Sequence, residues 1–330
     1  MRKLNRILVP TDFSEGSHAA YQYARKVTDL CGGQVNLIHV IPTMEYFSES
    51  LKDVGYPKSI DQPTPTPEDE IKAWLEKDML EYFDQEHQGD IVLKTGRKSY
   101  QEVIDEAGQE VYDLVVMGKN GYHQSTTMGN VTEKVIRHSP KPVLTINKDS
   151  PPREIKRLLV PTDYSNYSLQ ALHPATMLAS GLGGEIILYH VMKLYGSPAE
   201  NESMIPDQDV EDAVRMKLIN RVDSYLQARS DWDKELAWDR SGRTGHILIK
   251  DKEGEETIPF TIVIQRAVGA HHGITDYASD HADLIIINTH GQSGFSRIFM
   301  GSTTEKVTYQ ANKPVLSIRA VEEKEAVVDE

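Results

Sequence analysis

The chain states one pattern twice. Arg6-Ile7-Leu8-Val9-Pro10-Thr11-Asp12-Phe13-Ser14 returns as Arg157-Leu158-Leu159-Val160-Pro161-Thr162-Asp163-Tyr164-Ser165, and Leu37-Ile38-His39-Val40 returns as Leu188-Tyr189-His190-Val191 at the same offset. Later, Gly129-Asn130-Val131-Thr132-Glu133-Lys134-Val135 is echoed by Gly301-Ser302-Thr303-Thr304-Glu305-Lys306-Val307, and Lys141-Pro142-Val143-Leu144 by Lys313-Pro314-Val315-Leu316. Self-similarity in the same order over this much sequence is an internal duplication. Residues kept in both copies mark what the fold or a ligand needs, and they cluster at strand ends.

At 330 residues the chain suits two domains, each large enough to bury its own core. The polar, proline-bearing run Asn147-Lys148-Asp149-Ser150-Pro151-Pro152-Arg153 places the boundary at Ser150, giving domains 1–150 and 151–330. Within the first copy, Arg6 to Pro10, Gln34 to Val40, Ile91 to Thr95, Leu114 to Gly118 and Val143 to Ile146 read as strands, short and rich in β-branched residues. Ser17 to Cys31, Glu68 to Glu86, Ser99 to Glu110 and Val131 to His138 read as the helices between them. Strands that alternate with helices form parallel βαβ units, and continuously apolar strands are covered on both faces. The expected fold is α/β: two tandem doubly wound domains, each a five-stranded parallel sheet flanked by helices.

Turn chemistry sharpens the outline. Ser14 and Ser165 are placed to cap the helices after the first strand of each copy, and Gly32-Gly33 and Gly183-Gly184 to stop them through positive φ. The stretch Pro42 to Pro67, with prolines at 57, 63, 65 and 67, reads as a surface loop. The second copy gains a segment near 232–259, in which Lys234 to Trp238 and His246 to Lys250 flank Arg240-Ser241-Gly242-Arg243-Thr244-Gly245. That pattern suggests an inserted β-hairpin, either a solvated decoration or, through Trp232 and Trp238, a lid or docking surface.

A formal charge of −14 argues against general nucleic-acid binding, which rests on Lys and Arg neutralising phosphates. No apolar run approaches the roughly 20 residues that span a bilayer, so no membrane role and a cytoplasmic location are expected. The single cysteine, Cys31, excludes an internal disulfide framework.

Chemistry is expected at the carboxyl ends of the strands, where an open α/β sheet leaves a crevice. Pro10-Thr11-Asp12 and Pro161-Thr162-Asp163 each put an acid on a strand-to-helix turn, as a helix cap or as a ligand group. Asn288-Thr289-His290-Gly291, nine residues, then Gly301-Ser302 follow an apolar strand, Leu284 to Ile287, and precede a helix. Glycines admit close backbone approach, and a hydroxyl beside helix-opening N–H groups makes an anion site. His271, His272, His281 and His290 crowd one span, yet their spacing does not favour a metal site. Lys119 and Arg297 are cations within reach of phosphate, but there is no Gly-Lys-Ser/Thr of a P-loop and no catalytic constellation.

On these motifs the chain resembles a tandem universal stress protein. Nucleotide-binding members of that family carry Gly, two residues, Gly, nine residues, Gly-Ser/Thr after the fourth strand, with an Asp ending the first strand and a Val after the second. The resemblance implies binding of an adenine nucleotide, ATP with Mg2+ or AMP, in a stress response that works through nucleotide-dependent conformation or association. By carry-over, Asp163 and Val191 face the nucleoside and Gly291, Gly301, Ser302 and Thr303 the phosphates, with Pro161, Thr162, Asn288, Thr289 and Arg297 around them.

The first copy would use Pro10, Thr11, Asp12, Val40, Gly118, Gly121, Gly129 and Asn130. There only seven residues separate Gly121 from Gly129, and Asn130 stands where the hydroxyl should be, so the second copy ranks higher. In the second copy Asn288 replaces the leading glycine, a tolerable change because Asn can adopt left-handed geometry, although its side chain could crowd the ribose; the spacing survives. Alternatives are a scaffold with vestigial pockets and a slow ATP hydrolase. The strands Pro142 to Ile146 and Pro314 to Ile318 could pair within one chain, making an intramolecular pseudo-dimer or a homodimer of such chains.

Overall fold

The computed structural model describes residues 4–43, 66–121, 130–193, 207–228, 234–238, 243–251, 254–289 and 300–319. The chain forms two compact units, residues 1–154 with 311–316, and residues 155–310 with 317–330.

The first unit runs β1 (Arg6–Pro10), α1 (Glu15–Cys31), β2 (Gln34–Pro42), α2 (Pro67–Tyr82), β3 (Gln88–Gly96), α3 (Ser99–Ala107), β4 (Leu114–Gly118), α4 (Asn130–His138) and β5 (Val143–Ile146). Its sheet order is β3-β2-β1-β4-β5, with neighbouring strands parallel. Ile7, Leu8 and Val9 are fully buried, as a central strand covered on both faces requires.

In the second unit β6 (Arg157–Pro161), α5 (Asn166–Leu169), α6 (Leu172–Leu182), β7 (Glu185–Lys193) and α7 (Asp207–Gln227) lead to the insertion, β8 (Lys234–Trp238) and β9 (Thr244–Asp251). Then come β10 (Gly254–Ala267), α8 (Ala270–His281), β11 (Leu284–Asn288), α9 (Ser302–Gln310) and β12 (Val315–Ile318). The order β11-β6-β7-β10 repeats the parallel framework. The expected hairpin is present as the antiparallel pair β8–β9. Beyond expectation, β10 is 14 residues long: its first half is antiparallel to β9 and its second half parallel to β7, so the insertion widens the sheet.

Several local expectations shift for identifiable reasons. The helix expected to reach Glu86 ends at Tyr82, because Phe83 leaves it in extended geometry and buries its ring edge-on against Tyr21, 6.0 Å between centroids. Pro67 is not loop but the first turn of α2, where its missing N–H costs nothing; Thr66 and Asp69 form a capping box ahead of it. Residues 44–65 of the expected loop lie outside the described residues.

One long helix in the first unit is two in the second. Pro174 has no N–H to give the Gln170 carbonyl and its ring crowds that carbonyl, so α5 ends and α6 restarts with Ala175 N–H on Ala171. Gly32 and Gly183 end their helices with φ of 70° and 58°, the left-handed region open to glycine.

A further repeat lies at the opposite end of the sheets. Asp113, just before β4, accepts the N–H of Asn5 at 2.6 Å; Asp283, just before β11, accepts those of Lys156 and Arg157 at 3.1 and 2.9 Å and pairs with the Arg157 guanidinium at 3.0 Å. These acids fasten the amino ends of the central strands.

α1 and α2 are joined by His18, whose Nε2 lies 3.6 Å from Asp78 and whose ring stacks on Tyr82. The bond to Asp78 holds the imidazole above its ordinary value of 6.5. A raised folded-state value means this contribution is full below the unfolded value and is lost as pH rises through the folded one. The stability difference between wild type and His18→Gln should therefore be largest below about pH 6.5 and shrink as pH rises above it. Urea titrations at several pH values check this, and a difference that grows with pH would contradict it.

Candidate functional site

Both copies of Pro-Thr-Asp build the same turn at the carboxyl end of the central strand. The residue after each aspartate is strained: Phe13 has φ of 62° and Tyr164 of 69°, left-handed geometry that costs a non-glycine residue about 1–2 kcal/mol. Two nested side-chain bonds hold it. The Thr11 hydroxyl accepts the Phe13 N–H at 3.0 Å, and Asp12 Oδ1 accepts the Ser14 N–H at 3.1 Å. In the second unit Thr162 accepts from Tyr164 at 3.2 Å, and Asp163 Oδ1 accepts from Ser165 at 3.1 Å. The helix cap is the serine: Ser14 and Ser165 accept the N–H groups of Ser17 and Ser168. One oxygen of each aspartate is thus committed to shaping the turn.

A histidine braces each turn, a role the sequence motif alone did not reveal. His39 Nδ1 donates to the Thr11 carbonyl at 2.8 Å and His190 Nδ1 to that of Thr162 at 2.9 Å, so in both Nδ1 carries the hydrogen. Each ring packs on the strained residue, 5.0 Å from Phe13 and 4.3 Å from Tyr164 between centroids. Burial holds both imidazoles below their usual range, so they brace as neutral groups. The next residues are Val40, buried, and Val191, half-buried; the latter's side chain lies under Gly273 of α8, where an added Cβ would stand 3.0 Å from it.

The loops after β4 and β11 differ in what their first residue does. Gly118 packs against the backbone of Gly16 in α1, and a Cβ there would lie 2.6 Å from Gly16 atoms. Its glycine is demanded by helix packing. At the matching place Asn288 is 3 % exposed, and its Nδ2 donates 2.9 Å to the carbonyl of Tyr167 in α5. Its amide is directed to the helix backbone, which satisfies it where it is buried.

Gly121 sits directly over Asp12, so that a Cβ would run into Oδ2. Asp12 in the first unit is therefore closely covered, with Oδ1 also taking the Ser17 hydroxyl at 2.7 Å. Lys119 Nζ donates to the Ala311 carbonyl at 3.1 Å within this unit, and burial pulls its pKa down to about 8. Gly129 lies outside the described residues, and Asn130 opens α4.

In the second unit Thr289 is buried, and its carbonyl accepts the Gly301 N–H at 2.8 Å. Among the described residues, a Cβ on Gly301 would meet nothing nearer than that carbonyl, at 3.6 Å, then Thr304 Oγ1 at 4.0 Å, both ordinary contact distances. α9 begins at the next residue, so Ser302, Thr303 and Thr304 carry first-turn N–H groups without i−4 partners. Ser302 is exposed, Thr303 half-buried, and Thr304 is tied by its hydroxyl to the Asn288 carbonyl at 2.7 Å. Together these make a surface suited to an anion, with the strained acid turn on the neighbouring strand. His290, Gly291 and Arg297 lie outside the described residues. His271 and His272 meet as tilted rings at 4.0 Å between centroids, and His281 and Tyr277 likewise at 4.5 Å, so these three are engaged with rings. No helix among the described residues is long and apolar enough to cross a membrane.

Comparisons with known proteins agree with this duplicated architecture. The model of the universal stress protein family matches residues 3–147 and again 154–319. Universal stress protein MJ0577 of Methanocaldococcus jannaschii is 31% identical over 166 residues, covering 50% of this chain and 94% of that protein. Universal stress protein Slr1230 of Synechocystis is 22% identical over 340 residues, 96% of this chain and all of its own length. The crystal structure of a universal stress protein from Archaeoglobus fulgidus superimposes with a TM-score of 0.60 at 18% identity, over 96% of this chain and 98% of that one, a likeness of fold. The chain belongs to the universal stress protein family, as a tandem member carrying the family's domain twice.

Proposed function

We propose that the chain binds an adenine nucleotide, ATP or AMP, in its second half, and that occupancy biases its conformation or association in a cytoplasmic stress response. The observation that carries this reading is Gly301 at the head of α9, where the described residues come no nearer to a Cβ than ordinary contact distance and the first-turn N–H groups follow directly. Asn288 supports it, since its amide is held against the Tyr167 carbonyl. Asp163 and Val191 would then hold the nucleoside, and Gly291, Gly301, Ser302 and Thr303 the phosphates, with Pro161, Thr162, Thr289 and Arg297 around them.

The first half is proposed to be empty or limited to a smaller ligand such as AMP, because its loop is shorter and Gly121 covers Asp12. The unequal halves extend to domains meeting near Ser150, and the two last strands of the copies would pair within one chain as a pseudo-dimer. Neither nucleic acid nor membrane is a partner in this reading. Calorimetric titration with ATP, ADP and AMP tests it: heat with at least one of them is expected, and no heat with any at high protein concentration would sink it.

A further inference from the structure

The two copies differ at the amino ends of their strands, the end of each sheet away from the acid turns. In the first unit a short 3-10 turn, Gln85–His87, leads into β3, and the His87 imidazole fills the corner after α1: Nδ1 donates to the Gly33 carbonyl at 3.0 Å and Nε2 lies 3.8 Å from Asp29. The duplication gives each of these residues a counterpart. Gly33 matches Gly184, and Asp29 matches Ser180, whose hydroxyl bonds the Glu256 carboxylate. Strand register matches His87 with Pro259, since Gln88 pairs with Val35 and Phe260 with Ile186, the same place in each copy. Proline offers no ring N–H to a carbonyl. Where the first copy holds an imidazole, the second has a cavity of about 330 Å³ whose walls include Gly184, Glu256, Ile258 and Pro259.

We infer that this cavity binds a small molecule bearing an imidazole ring, taken up as the cation. The inference goes beyond the nucleotide reading and does not depend on it, because the cavity lies at the amino ends of β7 and β10 and the nucleotide is placed at the carboxyl ends. His87 shows what the corner accepts: a flat five-membered ring between a glycine carbonyl and a carboxylate. Both of those groups accept hydrogen bonds, so a ring between Gly184 and Glu256 donates from both nitrogens, which only the protonated imidazole does. Two other charged residues line the cavity. Lys156 has its Nζ on the Leu182 carbonyl at the end of α6, at 2.7 Å, and the Glu185 carboxylate interacts with Arg157 and Tyr277. Glu256 is thus the anion that meets the ring, and the nearby Lys156 charge keeps the affinity modest. The volume falls at the lower end of small-molecule sites, roughly 300–1,000 Å³, which suits a ring with a short substituent. The insertion builds the site, since Glu256 to Pro259 belong to the half of β10 that pairs with β9.

The test is titration of the isotope-labelled full chain with imidazole, followed by NMR at about pH 6, where the ring is largely protonated. Saturable shifts are expected at residues 180–185 and 256–260. The comparison ligand is 1-methylimidazole, which keeps a single N–H when protonated and should bind about fivefold more weakly or worse. Glu256→Gln should weaken imidazole binding about tenfold by replacing a charge-assisted bond with a neutral one. Pro259→His, which returns the ring from the chain itself, should abolish it. Glu256 and Pro259 are both exposed, and circular dichroism with thermal melting verifies that the variants fold. No saturable shift in wild type, or wild-type affinity in both variants, overturns the inference. Equal binding of imidazole and 1-methylimidazole overturns recognition of the cation through two donors. Each of these results leaves the nucleotide reading to its own titration.

Discussion

Replacing Gly301 by valine should remove ATP binding while leaving the protein folded. The two halves of that expectation come from one measurement of space. Among the described residues a Cβ at Gly301 would have its nearest neighbours at 3.6 and 4.0 Å, ordinary contact distances, so none of them opposes a side chain there. A valine would instead fill the approach to the first turn of α9 and keep a phosphate from the N–H groups of Ser302 and Thr303. Hydrogen bonds to a charged group are worth roughly 1.5–3 kcal/mol each, so losing two weakens binding about a hundredfold or more. Calorimetry beside circular dichroism checks both parts. A Gly301→Val protein that melts like wild type and still binds ATP with wild-type affinity would show that the phosphate does not lie over this glycine.

Gly118→Val is the opposite case, a glycine of the same motif whose loss should unfold rather than empty. Its Cβ would stand 2.6 Å from the carbonyl and carbon of Gly16, inside α1, and neither backbone can retreat without moving the helix off the sheet. Overpacking of this kind costs about 1–3 kcal/mol where side chains can yield, and more where only backbone is in the way. Urea unfolding should show a transition shifted to lower denaturant for the first unit. An unchanged midpoint would mean that α1 and β4 separate more easily than their contact implies. Because Gly118 belongs to the first unit, the ATP titration of the folded fraction should be unaltered.

These two glycines also show what the sequence could and could not say. The duplication made the parallel framework readable, since a repeated strand-turn-helix has few ways to fold, and the serine caps and glycine stops followed from local chemistry that needs no distant partner. Roles that depend on a neighbour far along the chain stayed hidden. Gly118 and Gly301 look alike in a motif, yet a Cβ on one would strike Gly16 while a Cβ on the other would meet the described residues only at ordinary contact distance. The bond from the Asn288 amide to the Tyr167 carbonyl, 121 residues away, was likewise hidden from the local motif. The bracing histidines, His39 and His190, were visible only as repeated letters; that each bonds a threonine carbonyl and packs on a strained ring needed the turn itself. Pro174, by contrast, is a local breaker that sequence inspection could have used to expect the split between α5 and α6.

The asymmetry between the halves is the central claim. It gathers the shorter first loop ending in Asn130, the close approach of Gly121 to Asp12, the Lys119 bond to the Ala311 carbonyl and the room for a Cβ at Gly301 among the described residues. Its most direct test is the number of ATP sites per chain, measured by calorimetry on wild type, Asp12→Ala and Asp163→Ala. The account predicts one tight site, kept in Asp12→Ala and lost in Asp163→Ala. Two equivalent sites in wild type, or a site lost in Asp12→Ala and retained in Asp163→Ala, would contradict it.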